Sequence, residues 1–171
     1  MRKTIAGWIL ALSVFQHSFA NIYYVSVAGN DSFGDGSAAS PWKTLRYAVS
    51  KVDASQGHTI QVGAGTFVEA GLIEVPVGVS IVGAGIDATI FRAANSFYYH
   101  PSSDPGYSPD KFLISLSGFN PVDGNQTLRS FTIDGDAKSL HGGIYVRYRN
   151  WVAIAQVKVK NTNYTGIWLW D

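Results

Sequence analysis

"LRSFTIDG" (residues 128–135) and "IAQVKVKN" (154–161) are two copies of one pattern. At an offset of 26 residues Leu128 falls on Ile154, Phe131 on Val157 and Ile133 on Val159. A second pair follows. "GIYVR" (143–147) falls on "GIWLW" (166–170) at an offset of 23, matching Gly143 with Gly166, Ile144 with Ile167 and Val146 with Leu169. The shortfall fits inside the loop between, "DAKSLHG" against "TNYT". A repeat of this length built from strand-like runs and turns marks a solenoid. Equivalent residues then lie one strand spacing apart, about 4.8 Å, apolar over apolar inside and polar over polar outside. Asp134 and Lys160 would meet as opposite charges on adjacent rungs. Gly135 and Asn161, each just after a strand, both tolerate left-handed backbone at a bend.

Toward the N-terminus the same texture continues. "TIQVGAG" (59–65), "LIEVP" (72–76), "VSIVGAG" (79–85), "TIFRA" (89–93) and "FLISLSG" (112–118) are short apolar runs broken by Gly, Asp and Pro. The two "GAG" triplets open no helix and read as bends. Helical periodicity occurs once in the mature chain. Ser40 as N-cap and Pro41 at the first position begin "PWKTLRYAVSKV" (41–52), where Leu45, Ala48, Val49 and Val52 form one apolar stripe. One helix followed only by strands disfavours βαβ alternation. The expected fold is all-β: a right-handed single-stranded parallel β-helix with an N-terminal capping α-helix that shields the first coil's open edge. Residues 21–58 would form the strand, loop and cap, and 59–171 the coils. At the other end "GIWLW" reads as an internal rung, so the chain is expected to be the N-terminal part of a longer protein.

Residues 1–20 read as a secretory signal peptide. Arg2 and Lys3 precede a short apolar stretch, "IAGWILALSVF" (5–15), and Ser18 and Ala20 suit a peptidase cutting after Ala20. A membrane span needs roughly 20 apolar residues, so no membrane insertion of the mature chain is expected. The 13 Lys and Arg stand against 12 Asp and Glu, and losing Arg2 and Lys3 takes the net charge from +1 to −1. That balance offers no electrostatic case for nucleic acid. Without cysteine, stability rests on packing and backbone hydrogen bonds.

"AGNDS" (28–32), "SPWKTLRYAV" (40–49) and "GHTIQVGAGTFVE" (57–69) together resemble the opening of secreted proteins of the pectin-lyase-like superfamily, family-nine pectate lyases among them. His58 departs from the aspartate frequent at that place. The resemblance implies a parallel β-helix and, for members acting on uronic-acid polymers, a Lys or Arg base beside carboxylate-held calcium. Those groups lie on later coils, beyond residue 171, so no catalytic residue is carried over; calcium is expected only of the full-length protein.

The candidate substrate-binding surface is the outward side of the repeated "GIxΦx" strand, where Tyr145 would stack over Trp168 and Arg147 over Trp170. An exposed aromatic shelf with a guanidinium suits the apolar faces and carboxylates of sugars. The alternative is a packing surface. Asp134 and Asp136, with Asp171, form a weaker metal candidate, since carboxylates around a glycine are commonly turn formers. "NDSFGDG" (30–36) fails the calcium-loop spacing, and the insertion 95–111 could wall a groove. The expected partner is a polysaccharide or cell-surface glycan bound by a monomer, either a polyuronide lyase or a non-enzymatic adhesion protein.

Overall fold

The computed structural model describes residues 20–54, 56–94, 111–136 and 140–170. Residues 1–19 of the expected signal peptide, 95–110 of the 95–111 insertion, and Asp171 lie outside the described residues. The elements are β1 (Ile22–Val25), α1 (Leu45–Lys51), β2 (Thr59–Val62), β3 (Gly65–Glu69), β4 (Ile73–Glu74), β5 (Ser80–Val82), β6 (Thr89–Ala93), β7 (Phe112–Asp134), β8 (Gly142–Lys160) and β9 (Thr165–Trp170). Every named strand pairing is parallel.

Three ladders run up the stack, as a parallel β-helix requires. In the first, Tyr23, Ile60, Ile81, Leu128 and Ile154 lie in register. The second carries Phe67, Phe91, Ile133 and Val159. The third carries Ile73, Ile114, Ile144 and Ile167. The 26- and 23-residue offsets therefore place like on like, and buried aliphatic side chains from successive coils form one core. Phenylalanines add ring contacts along it, Phe67 to Phe91 at 5.8 Å and Phe91 to Phe131 at 5.2 Å.

Several local expectations are corrected. Strand β3 was not among the apolar runs of the sequence; it pairs β6 over five residues. "FLISLSG" and "LRSFTIDG" belong to one long strand, β7, whose register breaks between Ser117 and Val122 and again between Asp123 and Gln126. Pro121, which has no amide to donate, sits in the first break. The bend residues also differ from expectation. Asn161 is left-handed at φ 57°, but in the preceding coil the left-handed residue is Asp136, at φ 50°. Gly135 is needed for another reason, because a Cβ there would collide with the Asn161 carbonyl. Elsewhere the left-handed bends do repeat at the 26-residue offset, Asn125 with Trp151 and Ser130 with Gln156.

The helix begins at Leu45, with Thr44 rather than Ser40 as its N-cap. Trp42 is drawn away from the helix into pairing with β1: its N–H donates to Tyr24 O at 3.0 Å and its carbonyl accepts from Ser26 at 2.9 Å. Two distant carboxylates then finish the helix start. Asp31 accepts from the Lys43 and Thr44 amides, and Glu69 on β3 accepts from those of Leu45 and Arg46. Leu45, Ala48, Val49 and Val52 are all buried, so the predicted stripe covers the first coil. His58 is buried as well, its Nδ1 accepting the Asn21 N–H at 2.9 Å. Among the described residues no helix is long and apolar enough to cross a membrane.

Candidate functional site

The third ladder places the site. Its inward rows are isoleucines, so the alternating residues must face out. One outward row is Glu74, Ser115, Tyr145 and Trp168; the next holds Ser117, Arg147 and Trp170. The expected register, Tyr145 with Trp168 and Arg147 with Trp170, is the observed one. An open shelf does not result. Tyr145 is only 1% exposed, its ring packed 5.2 Å from that of Phe112. Trp168 is half-buried and continues a stack through Tyr164, at 6.4 Å, to His141, 4.7 Å further on. Trp170 remains 40% exposed.

The surface is instead a groove of about 720 Å³ along the solenoid flank. Tyr145, Arg147, Ser115, Ser117 and Glu74 contribute from the strands, and Tyr148 and Arg149 from the bend that follows. Tyr148 takes φ 53°, which swings it back beside its neighbour. The Arg147 guanidinium lies 4.6 Å from the Tyr148 ring centroid and its Nη2 donates to the Tyr148 hydroxyl at 3.2 Å. That hydrogen bond raises the Arg147 pKa further. A smaller cavity of about 320 Å³ adjoins it through Arg149 and is walled by Trp151, Leu169 and Trp170. Of the four expected residues, then, Tyr145 and Arg147 share the groove, Trp170 lines its neighbour, and Trp168 lines neither.

Sequence reading missed Glu74, Ser115 and Ser117, although continuing the repeat one coil toward the N-terminus would have reached the two serines. Tyr148, Arg149 and Trp151 had no periodic signal, because they occupy the bend between two strand segments. Trp151, a bulky residue at φ 54° and 74% exposed, is the kind of backbone outlier that clusters at functional surfaces.

The acidic pair does not suit a metal. Asp134 is buried and its Oδ1 accepts from Asn161 Nδ2 at 2.7 Å and from the Asp136 amide at 2.9 Å. Its Oδ2 lies 3.1 Å from Lys160 Nζ and 3.8 Å from Arg92 Nη2. Burial pushes the carboxyl's pKa up, but the Asn161 and Asp136 hydrogen bonds and the Lys160 ammonium outweigh it, leaving it below the ordinary value. A calcium ion would meet two cations and almost no unengaged oxygen. The residues present therefore do not fit calcium at Asp134 and Asp136.

No curated protein matches the chain. Among solved structures, a rhamnogalacturonan lyase superposes with a TM-score of 0.50 over 85% of this chain, at 16% identity. The matched region is 34% of that lyase, so this chain spans about a third of its length. At that identity the likeness bears on the fold alone, and it is the lyase's parallel β-helix that the two share. The model of the family described as "Protein of unknown function (DUF1565)" matches residues 27–171, and the chain belongs to that family.

Proposed function

We propose that the protein is a secreted, carbohydrate-active β-helix that holds an extended polysaccharide in the flank groove, as part of a lyase-like protein acting on uronic-acid polymers. The carrying observation is the half-buried part of the groove's lining: Tyr148 to pack on a sugar face, Ser117 to hydrogen-bond a hydroxyl, and two guanidiniums to meet carboxylates. Likeness of fold to a polysaccharide lyase is in keeping with this reading but is a weak warrant for activity.

A second reading is a binder without chemistry. It is favoured by the groove's acid content, since Glu74 is its single carboxylate among the described residues. Incubation with pectate and with alginate, with and without added calcium, separates the two. Absorbance from unsaturated products marks a lyase. Retardation in polysaccharide gels without such products marks a binder, and neither result on any polymer removes the carbohydrate reading.

A further inference from the structure

We infer that Arg149 is an oxyanion-binding side chain at the junction of the two cavities, and that its ligand is the carboxylate of a hexuronic acid unit in a bound polysaccharide. The inference rests on the groove reading above and gives that groove a preference for charge.

Arg149 stands where the chain turns between the left-handed residues Tyr148 and Trp151. Its aliphatic stem crosses Gly124, where a Cβ would come within 2.8 Å of Arg149 Cδ. One hydrogen bond holds the head group, from Nη2 to Ser117 O at 2.8 Å. Among the described residues its buried Nε and Nη1 have no hydrogen-bond partner, and no ion pair includes it. Burial accordingly draws its pKa below the ordinary arginine value. Arg149 as a whole is half-buried, but buried donors such as these are normally hydrogen-bonded, since desolvation is otherwise uncompensated.

The unused donors have a suitable geometry. Guanidinium presents two edges, Nη1 with Nη2 and Nε with Nη2. The Ser117 carbonyl occupies one of the two Nη2 hydrogens. The other, with the orphaned donor beside it, makes a two-pronged edge that a carboxylate meets once a small turn of the head group brings that buried donor to the cavity. The surroundings specify a sugar acid rather than a free anion. Arg149 lines both the tyrosine-walled groove and the cavity flanked by Trp151 and Trp170, so a polymer lying across both would pass over it.

The test uses the whole chain and small probes. Selective ¹⁵N labelling of arginine follows the Arg149 Nε–H signal, assigned through Arg149→Lys, during titration with glucuronate, glucose or sodium sulfate. Glucuronate is expected to shift it saturably, glucose not at all, and sulfate less strongly than glucuronate. Arg149→Gln should weaken glucuronate binding about tenfold or more, with Arg149→Lys intermediate because it keeps charge without the fork. Equal response to glucose and glucuronate, stronger response to sulfate, or unchanged glucuronate binding in a folded Arg149→Gln would overturn the inference. Gel retardation keeps it separate from the groove reading. A polymer that retards wild type and Arg149→Gln alike sinks the Arg149 assignment and spares the groove. A glucuronate-shifted Arg149 in a protein that no polymer retards sinks the groove and spares the assignment.

Discussion

Replacing Asp134 by alanine removes a carboxylate that ties three coils together. Arg92, Asp134 and Lys160 are successive members of one outward row. Asp134 is buried, while the Arg92 and Lys160 side chains keep 40% and 42% of their surface exposed. Those two cations can rehydrate, so their share is of the order of a surface pair, at most about 1 kcal/mol. The Asn161 amide and the Asp136 N–H are the costlier losses, because hydrogen bonds to a charged group contribute about 1.5–3 kcal/mol. Allowing for partial access of water to the vacated site, Asp134→Ala should lower stability by about 2–3 kcal/mol. Asp134→Asn keeps an acceptor and loses the charge, so about 1 kcal/mol is expected. Urea denaturation followed by circular dichroism, with an unchanged slope, measures both. The pH dependence supplies a second check. With the folded pKa below the unfolded value, the carboxylate's contribution is complete above about pH 5. It disappears as the pH falls through the folded-state pKa. The gap between wild type and Asp134→Asn should therefore close in acid. A loss below about 0.5 kcal/mol for the alanine variant, or an Asn deficit unchanged at pH 3, would refute the argument.

Glu69→Ala should cost about 1–2 kcal/mol through loss of the α1 cap. Burial is the main influence on Glu69 and raises its pKa, so wild type should lose stability relative to Glu69→Gln as the pH rises through that value; parallel pH profiles would contradict it. Gly124→Ala should push the Arg149 stem aside and weaken glucuronate binding at a stability cost of about 1–2 kcal/mol. Gly71→Ala, where the nearest atom to a new Cβ is 3.5 Å away, should do neither, as the same titration would show. Leu116 and Leu169 share a ladder but not an environment, the first fully buried and the second 70% exposed. Leu116→Ala should cost about 2–5 kcal/mol and Leu169→Ala under about 0.5 kcal/mol, by urea denaturation of this 171-residue chain.

The repeat was legible because stacking in a solenoid is a one-dimensional rule. Leu128 over Ile154 and Ile144 over Ile167 follow from sequence offset once strands pair in register. The helix start was misjudged at Ser40 because its true determinants come from elsewhere. Pairing with β1 holds Trp42 extended, and the caps from Asp31 and Glu69 are 13 and 24 residues away from Thr44 and Leu45. No local propensity encodes such partners.

By itself the sequence determined the architecture, the inward rows and the register that sets Tyr145 beside Trp168, since each depends on periodicity two along a strand and on the like-for-like match between the last two coils. Exposure and pairing were decided only in three dimensions. Tyr145 is covered by Phe112, Asp134 is claimed by cations from the coils on either side, and Arg149 is left with unmatched donors. The reason is physical: which face a residue takes is a local property of the strand, whereas what stands opposite it depends on every coil that folds against it.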